Sequence, residues 1–282
     1  MTALALTWRK PSVLPGFPLA FGTTLAYLGL IVLIPIAALG LKAAGLGLGG
    51  LWEIATEPRV AAALKLSFGL ALVAAAVNAV LGTLVAWVLV RYPFPGRALL
   101  DAAVDLPFAL PTAVAGIALT ALYAPNGWIG QWTEAVGLKV AYTPLGITIA
   151  LVFVGLPFIV RTVQPVLHDL DREIEEASAT LGASRVQTIA RVLLPHLLPA
   201  ILTGFTLAFA RGVGEYGSII FIAGNMPFVS EIAPLLIVIR LEEFNYAGAI
   251  GIATIMLLLS FALILLINLI QAWSRRRFGH GS

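Results

Sequence analysis

Residues Glu176 to Pro195 read EASATLGASRVQTIARVLLP, a charged, amphipathic stretch in a chain that is otherwise mostly apolar. Long hydrophobic runs flank it on both sides. A polar helical loop of this length needs a partner outside the bilayer, which points to a soluble subunit docking here. Between Asp169 and Arg191, apolar or small residues fall at Ile174, Ala177, Leu181, Val186, Ile189 and Ala190, mostly three and four apart. That spacing predicts one short amphipathic helix, a turn at Gly182 and a second helix. Glu173, Glu175 and Glu176 gather in the first half, where carboxylates favour a helix N-terminus, while Arg185 and Arg191 come later. Pro195 is expected to open the next span.

Working outward, 60% of the 282 residues are hydrophobic and only 11% are charged. The mean hydropathy of +0.99 excludes an ordinary soluble domain. A hydrocarbon layer of about 30 Å takes roughly 20 apolar residues rising about 1.5 Å each. Six stretches approach or exceed that length, at 17–41, 66–90, 106–123, 143–160, 197–224 and 246–273, and only the fifth holds charged residues. The expected fold class is therefore an all-α integral membrane protein of six transmembrane helices. Residues 17–273 form one membrane domain, with the long loop 161–196 between helices four and five and short cytoplasmic segments at 1–16 and 274–282. The first run exceeds the roughly 7–15 residues of a signal-peptide core and reads as a retained helix. Cysteine is absent, so disulfides and thiolate metal sites are excluded.

With an even number of spans, Arg9, Lys10, Arg91, Arg97, Arg161, Arg172, Arg185, Arg191 and Arg275 to Arg277 share one side. Lys42, Arg59, Lys65, Lys139 and Arg240 occupy the other. Eleven cations against five place both termini and the 161–196 loop in the cytoplasm. The cations are spread around spans and not gathered with aromatics on one soluble face, so the expected partner is the lipid bilayer and not nucleic acid. Trp8 and Trp52 fit as interfacial anchors.

The third apolar run is punctuated by Pro107 and Pro111 just before Thr112. Proline inside a helix removes a backbone bond and clashes with the preceding turn, at about 3 kcal/mol. Two of them four residues apart predict a kink or break, either lining a pathway or simply starting and bending the helix. In the fifth run Arg211 and Glu215 lie four apart on one expected helical face. A lone charge at membrane depth costs at least about 2.5 kcal/mol, so the two neutralise each other or face an aqueous cavity, as part of a pathway or as a paired strut. Gly212-Val-Gly214-Glu-Tyr-Gly217 matches GxGxxG, but the context is an apolar span and not a strand-to-helix turn. Gly204, Ala208 and Gly212 recur at four-residue spacing and suit close helix approach, while Gly214 and Gly217 suit a hinge around Glu215.

Asn78, Thr83 and Asn268 are expected to bond between helices, and Arg97, Asp101 and Asp105 to form an ion-paired start to the third span. The histidines, His168, His196 and His280, are dispersed. There is no HExxH, GxSxG or GxxxxGK[ST] pattern, so no catalytic residue, no metal and no ATP site is expected on this chain.

Glu176-Ala-Ser178, three residues, Gly182, nine residues and Val192-Leu-Leu-Pro195 resemble the EAA motif of ABC importer permeases. Ser178 stands for the second alanine and Val192 for isoleucine. Beyond the loop, Arg91-Tyr-Pro-Phe-Pro-Gly-Arg97, Asp105 to Gly116, Pro157 to Pro165 and Gly214 to Asn225 are similar to the CysT family of sulfate/thiosulfate permeases over nearly the full length. Molybdate permeases are similar around the fifth helix. The resemblance implies a type I importer permease, not an enzyme by itself, working with a second, CysW-like permease, a CysA-like ATPase dimer holding ATP and Mg, and a periplasmic sulfate/thiosulfate-binding protein. It implies ATPase coupling through Glu175, Glu176, Ala177, Ser178, Leu181, Gly182, Ala183 and Pro195. Thr112, Arg211, Glu215 and Ser218 are the expected pathway or gate residues, next to the helix break at Pro107 and Pro111. An ion-coupled secondary transporter with Glu215 as proton relay is the rival class. It predicts internal repeats, which the two halves do not display.

Overall fold

The computed structural model describes residues 16–278, with side chains through Leu269. Trp8, Arg9, Lys10 and His280, and the side chains of Trp273 and Arg275 to Arg277, lie outside the described residues. The order is α1 (Phe17–Ala44), α2 (Gly47–Thr56), α3 (Pro58–Arg91), α4 (Arg97–Val104), α5 (Leu106–Ala109), α6 (Thr112–Tyr123) and α7 (Gly130–Ala135). It continues with α8 (Pro144–Asp169), α9 (Arg172–Thr180), α10 (Arg185–Val213), α11 (Ile219–Ile222), α12 (Ala233–Glu242) and α13 (Tyr246–Phe278). Among the described residues, α1, α3, α8, α10 and α13 are long and apolar enough to cross a membrane.

The expected third span is not one helix. The chain is extended at Leu110 (ψ 133°) and Pro111 (ψ 134°), which separates α5 from α6. Pro111 disfavours helical backbone at the residue before it and brings no N–H of its own. Pro107 sits in the first turn of α5, where a missing donor costs nothing.

Two other prolines are carried through by a different device. Wide π turns at Gly29–Leu33 and Ile189–Leu193 each end two residues before a proline, Pro35 and Pro195. A wide turn opens the ladder where the proline ring would meet the carbonyl four residues back. Pro195 therefore does not start the fifth span. The helix begins at Arg185 and runs through it.

The core is a trio of α3, α8 and α10. Ala71, Ala74 and Ala75 meet Ile147 and Leu151 of α8 and Ala208 and Phe209 of α10. Nearer the other end, Ala86 and Leu89 pack with Ile159, Val163 and Leu197. The Gly204, Ala208 and Gly212 row is buried, and a Cβ on Gly204 would lie 2.9 Å from the Ile159 Cα. Asn78 donates across helices to the Val152 carbonyl at 3.0 Å. Thr83 instead bonds back to Ala79 within its own helix, and Asn268 is exposed.

α1 stands apart: no side chain of Phe17–Leu33 is buried, and only Ala43 is buried in the remainder. At the end of α3 remote from the long loop, the Arg59 guanidinium grips buried Glu231 with two bonds of 2.8 and 2.7 Å. Arg240 of α12 pairs with Glu57, and the Ala233 amide donates to Ser67 at 2.8 Å. Together these fasten α12 and the segment before it to α3.

Candidate functional site

Among the described residues, the sequence-predicted site residues gather in two places. The first is the elbow between α8 and α10. Helix α9 carries Glu173 and Glu175 in its first turn, as its exposed N-terminal amides favour. It stops at Gly182, whose φ of +81° is left-handed backbone that glycine adopts without strain. The amide of Gly182 donates to Ala179 and that of Ala183 to Ser178, both at 3.0 Å, closing the turn. Ser184 then caps the start of α10, with reciprocal bonds to Gln187.

The departure at Ser178 has a structural use. Its hydroxyl lies 2.8 Å from the Thr188 hydroxyl, both nearly buried, and so links the two arms of the elbow. Glu175 turns inward and pairs with Arg91 at 2.8 Å, while Arg91 also donates to the Leu170 carbonyl and lies over the Trp87 ring. Glu176, Ala177, Leu181 and Gly182 face outward, and Leu181 is 88% and Val186 74% exposed. The apolar positions of this amphipathic stretch thus form an uncovered surface. Between α3 and the elbow, Trp87, Tyr92, Glu175, Glu176 and Arg185 line an open cleft of about 440 Å³.

The second place is a turn inside the membrane region. Helix α10 ends at Val213, not at residue 224, so Glu215 lies beyond the helix and not in its middle. The apolar run hid this end, since Ile219–Ile222 is hydrophobic too. Gly214 lies in the turn that follows α10, and the chain restarts as α11. The pairing survives. Arg211 in the last helical turn pairs with Glu215, which is 1% exposed while Arg211 is 38% exposed. The other Glu215 oxygen accepts from the Ser218 amide at 3.0 Å and its hydroxyl at 2.9 Å.

Helix α6 is pressed onto this turn. A Cβ on Gly217 would stand 2.2 Å from the Thr112 Oγ1, and one on Gly116 2.4 Å from the Ser218 carbonyl oxygen. Thr112, Arg211, Glu215 and Ser218 are therefore one locus, beside the break at Pro111. Gly116→Ala is expected to cost about 1–3 kcal/mol by overpacking a rigid carbonyl, read as a lower melting temperature in detergent. Gly217→Ala meets the Thr112 hydroxyl, which can rotate away, with the Thr112 Cβ at 3.0 Å behind it, and should cost less in the same measurement.

At the start of the third span Arg97 does not pair with the aspartates. Arg161 of α8 does, with two bonds to Asp105 at 2.8 and 2.6 Å and one to Asp101 at 2.8 Å. Gln164 donates to Asp101 at 2.9 Å and, with Arg161, holds that carboxyl below its ordinary pKa. Sequence reasoning missed this partner, because Arg161 is 60 residues from Asp101 and nothing local marks the pair.

Residues 78–280 match the family model described as "Binding-protein-dependent transport system inner membrane component". The sulfate transport system permease protein CysT of Escherichia coli (strain K12) is 49% identical, over 95% of this chain and 97% of its own length. The chain belongs to the CysT family of binding-protein-dependent transport permeases. A probable cysT permease of Nephroselmis olivacea is 51% identical, covering 92% of each chain. A bacterial ABC transporter involved in alginate import has the same fold, with a TM-score of 0.73 at 16% identity, over 92% of this chain and 96% of that one. As a CysT-family permease the chain is a multi-pass membrane component of an ABC transporter, and its all-helical architecture is that of type I importer permeases.

Proposed function

We propose that this permease carries sulfate or thiosulfate across the bacterial inner membrane in an ATP-driven importer, with both termini and the elbow in the cytoplasm. The relatives named as sulfate permeases, about half identical over nearly the whole chain, support the substrate class. The third apolar run, broken at Pro111, completes six crossings. ATP and Mg belong to a CysA-like ATPase pair, and a CysW-like permease and a periplasmic sulfate/thiosulfate-binding protein complete the assembly.

The observation that carries this reading is the elbow, which turns Glu176, Leu181 and Val186 outward from a base tied to Arg91. Exposed apolar side chains on a polar loop are an unfilled contact surface. ATPase closure pushes on that surface and moves α10, whose far end is the Arg211 turn. There Arg211, partly neutralised by Glu215, offers a modest positive field, with Thr112 and Ser218 near it. A dianion needs weak, distributed donors to be released as well as bound. A half-exposed guanidinium at this depth is too costly to face lipid, so this side of α10 meets water and the second permease.

Two variants test the coupling. Glu176→Lys reverses the outward charge and Gly182→Leu strains the turn. Both should weaken ATPase association at least about tenfold, equivalent to roughly 1.4 kcal/mol; Glu176→Lys should melt as wild type, while Gly182→Leu should lose about 1–2 kcal/mol to the left-handed backbone it must adopt. Wild-type copurification and ATPase stimulation in both variants would overturn the coupling role, and uptake driven by a proton gradient without ATP would favour the secondary-transporter class.

A further inference from the structure

The segment after α6 folds back on itself more tightly than a loose connection requires. A Cβ on Gly127 would lie 2.3 Å from the Ala121 carbonyl oxygen, and one on Gly130 1.8 Å from that of Ala124. Only glycine at both places lets α7 lie flat against the end of α6. Helical bonds start early: the Gln131 amide donates to Gly127 and the Thr133 amide to Ile129. Trp128 and Trp132 therefore share a face, opposite the two glycines. They are 83% and 71% exposed. At the far end the Tyr142 amide donates to the Ile222 carbonyl at 2.7 Å, which ties the segment to the turn after α11 as well.

The position of this platform follows from chain length. α6 has 12 residues and rises about 18 Å, slightly more than the half-thickness of about 15 Å. On the six-crossing reading proposed above, with the break at Pro111 at mid-membrane, its C-terminal end reaches the headgroup level on the side away from the elbow. Indoles prefer that level, with an apolar ring in lipid and an N–H in water. Glu134 lies about 200° round the helix from Trp132, on the opposite side. Lys139 is exposed just beyond, a cation for lipid phosphates.

We infer that Trp128 and Trp132 are a lipid-headgroup anchor that sets the depth of α6, and with it the placement of Thr112 and Gly116 against the Arg211–Glu215 turn. This goes beyond the transport reading and does not depend on which anion is carried.

The test uses the full-length permease in phosphatidylethanolamine/phosphatidylglycerol vesicles, with Trp8, Trp52, Trp87 and Trp273 replaced by phenylalanine. Lipids brominated at shallow acyl positions should quench about half or more of the remaining emission, deeply brominated lipids less, and aqueous iodide little. If that background does not fold, the difference in emission between wild type and W128F/W132F gives the same reading. Full quenching by iodide with none by bromolipid would overturn the anchor. So would indoles shielded only after a binding protein is added, which would assign the face to a protein. W128S/W132S should melt as wild type in detergent yet lose uptake in vesicles; wild-type uptake would remove the anchor from placing α6.

Discussion

Glu215→Ala is expected to lower the melting temperature sharply and to abolish uptake. The carboxylate is 1% exposed and is the acceptor for the Ser218 amide and hydroxyl as well as the counter-charge of Arg211. Removing it leaves a guanidinium unpaired at membrane depth and two donors without an acceptor. Breaking a buried pair from one side costs about 3–5 kcal/mol, and because Arg211 is 38% exposed the loss should lie near the lower end. Arg211→Gln alone should also destabilise, because it strands the carboxylate. The double variant Arg211→Gln/Glu215→Gln strands neither charge and keeps an acceptor for Ser218. It should recover most of the lost stability, read by melting in detergent, while sulfate uptake stays low. Wild-type uptake in a folded double variant would remove the charges from the pathway and leave them as a strut.

Glu231→Ala is the second large effect. Arg59 grips this carboxylate with two bonds, Glu231 is 1% exposed, and the pair fastens the segment before α12 to the start of α3. Arg59 is 28% exposed and can reach water once abandoned, so the loss should lie near the lower end, about 3 kcal/mol. Glu231→Gln keeps an acceptor and should lose less. Because the elbow is at the opposite end of α3, ATPase association should be unchanged, and this separates Glu231→Ala from Glu176→Lys. A melting temperature equal to wild type would show that packing, the Arg240–Glu57 pair and the Ala233–Ser67 bond hold α12 without it.

The elbow was legible because its signals are local: a three-and-four apolar spacing, a glycine where the chain must turn left-handed, and carboxylates before cations. The break at Pro111 was legible for the same reason, since a proline acts on its immediate neighbour. What escaped were relations between distant residues. Arg59 reads as one more external cation until Glu231, 172 residues on, is folded beside it. The end of α10 escaped because hydropathy is blind to a turn between two apolar helices. Gly214 and Gly217 were the available signal. The pair Arg211 and Glu215 was found through a helical spacing that does not exist there, and it holds because the turn brings Glu215 back to the same side. Helix α10 starting at Arg185 was hidden by Pro195, which ordinarily ends a helix and here is carried by a wide turn.

The dependence of α6 on the Glu215 turn has a consequence for how this protein is made. α1 completes its own backbone bonds and buries almost nothing against the rest, so it can enter the bilayer as soon as it leaves the ribosome. α6 cannot finish in the same way. It is too short to cross, and the surface that receives Gly116 is made of residues translated about a hundred positions later. Between those two moments the third segment waits beside the translocon with one flank uncovered. A nascent chain from which residue 218 has not yet emerged should therefore leave that segment open to water-soluble labels, and one from which residues 218–222 have emerged should close it.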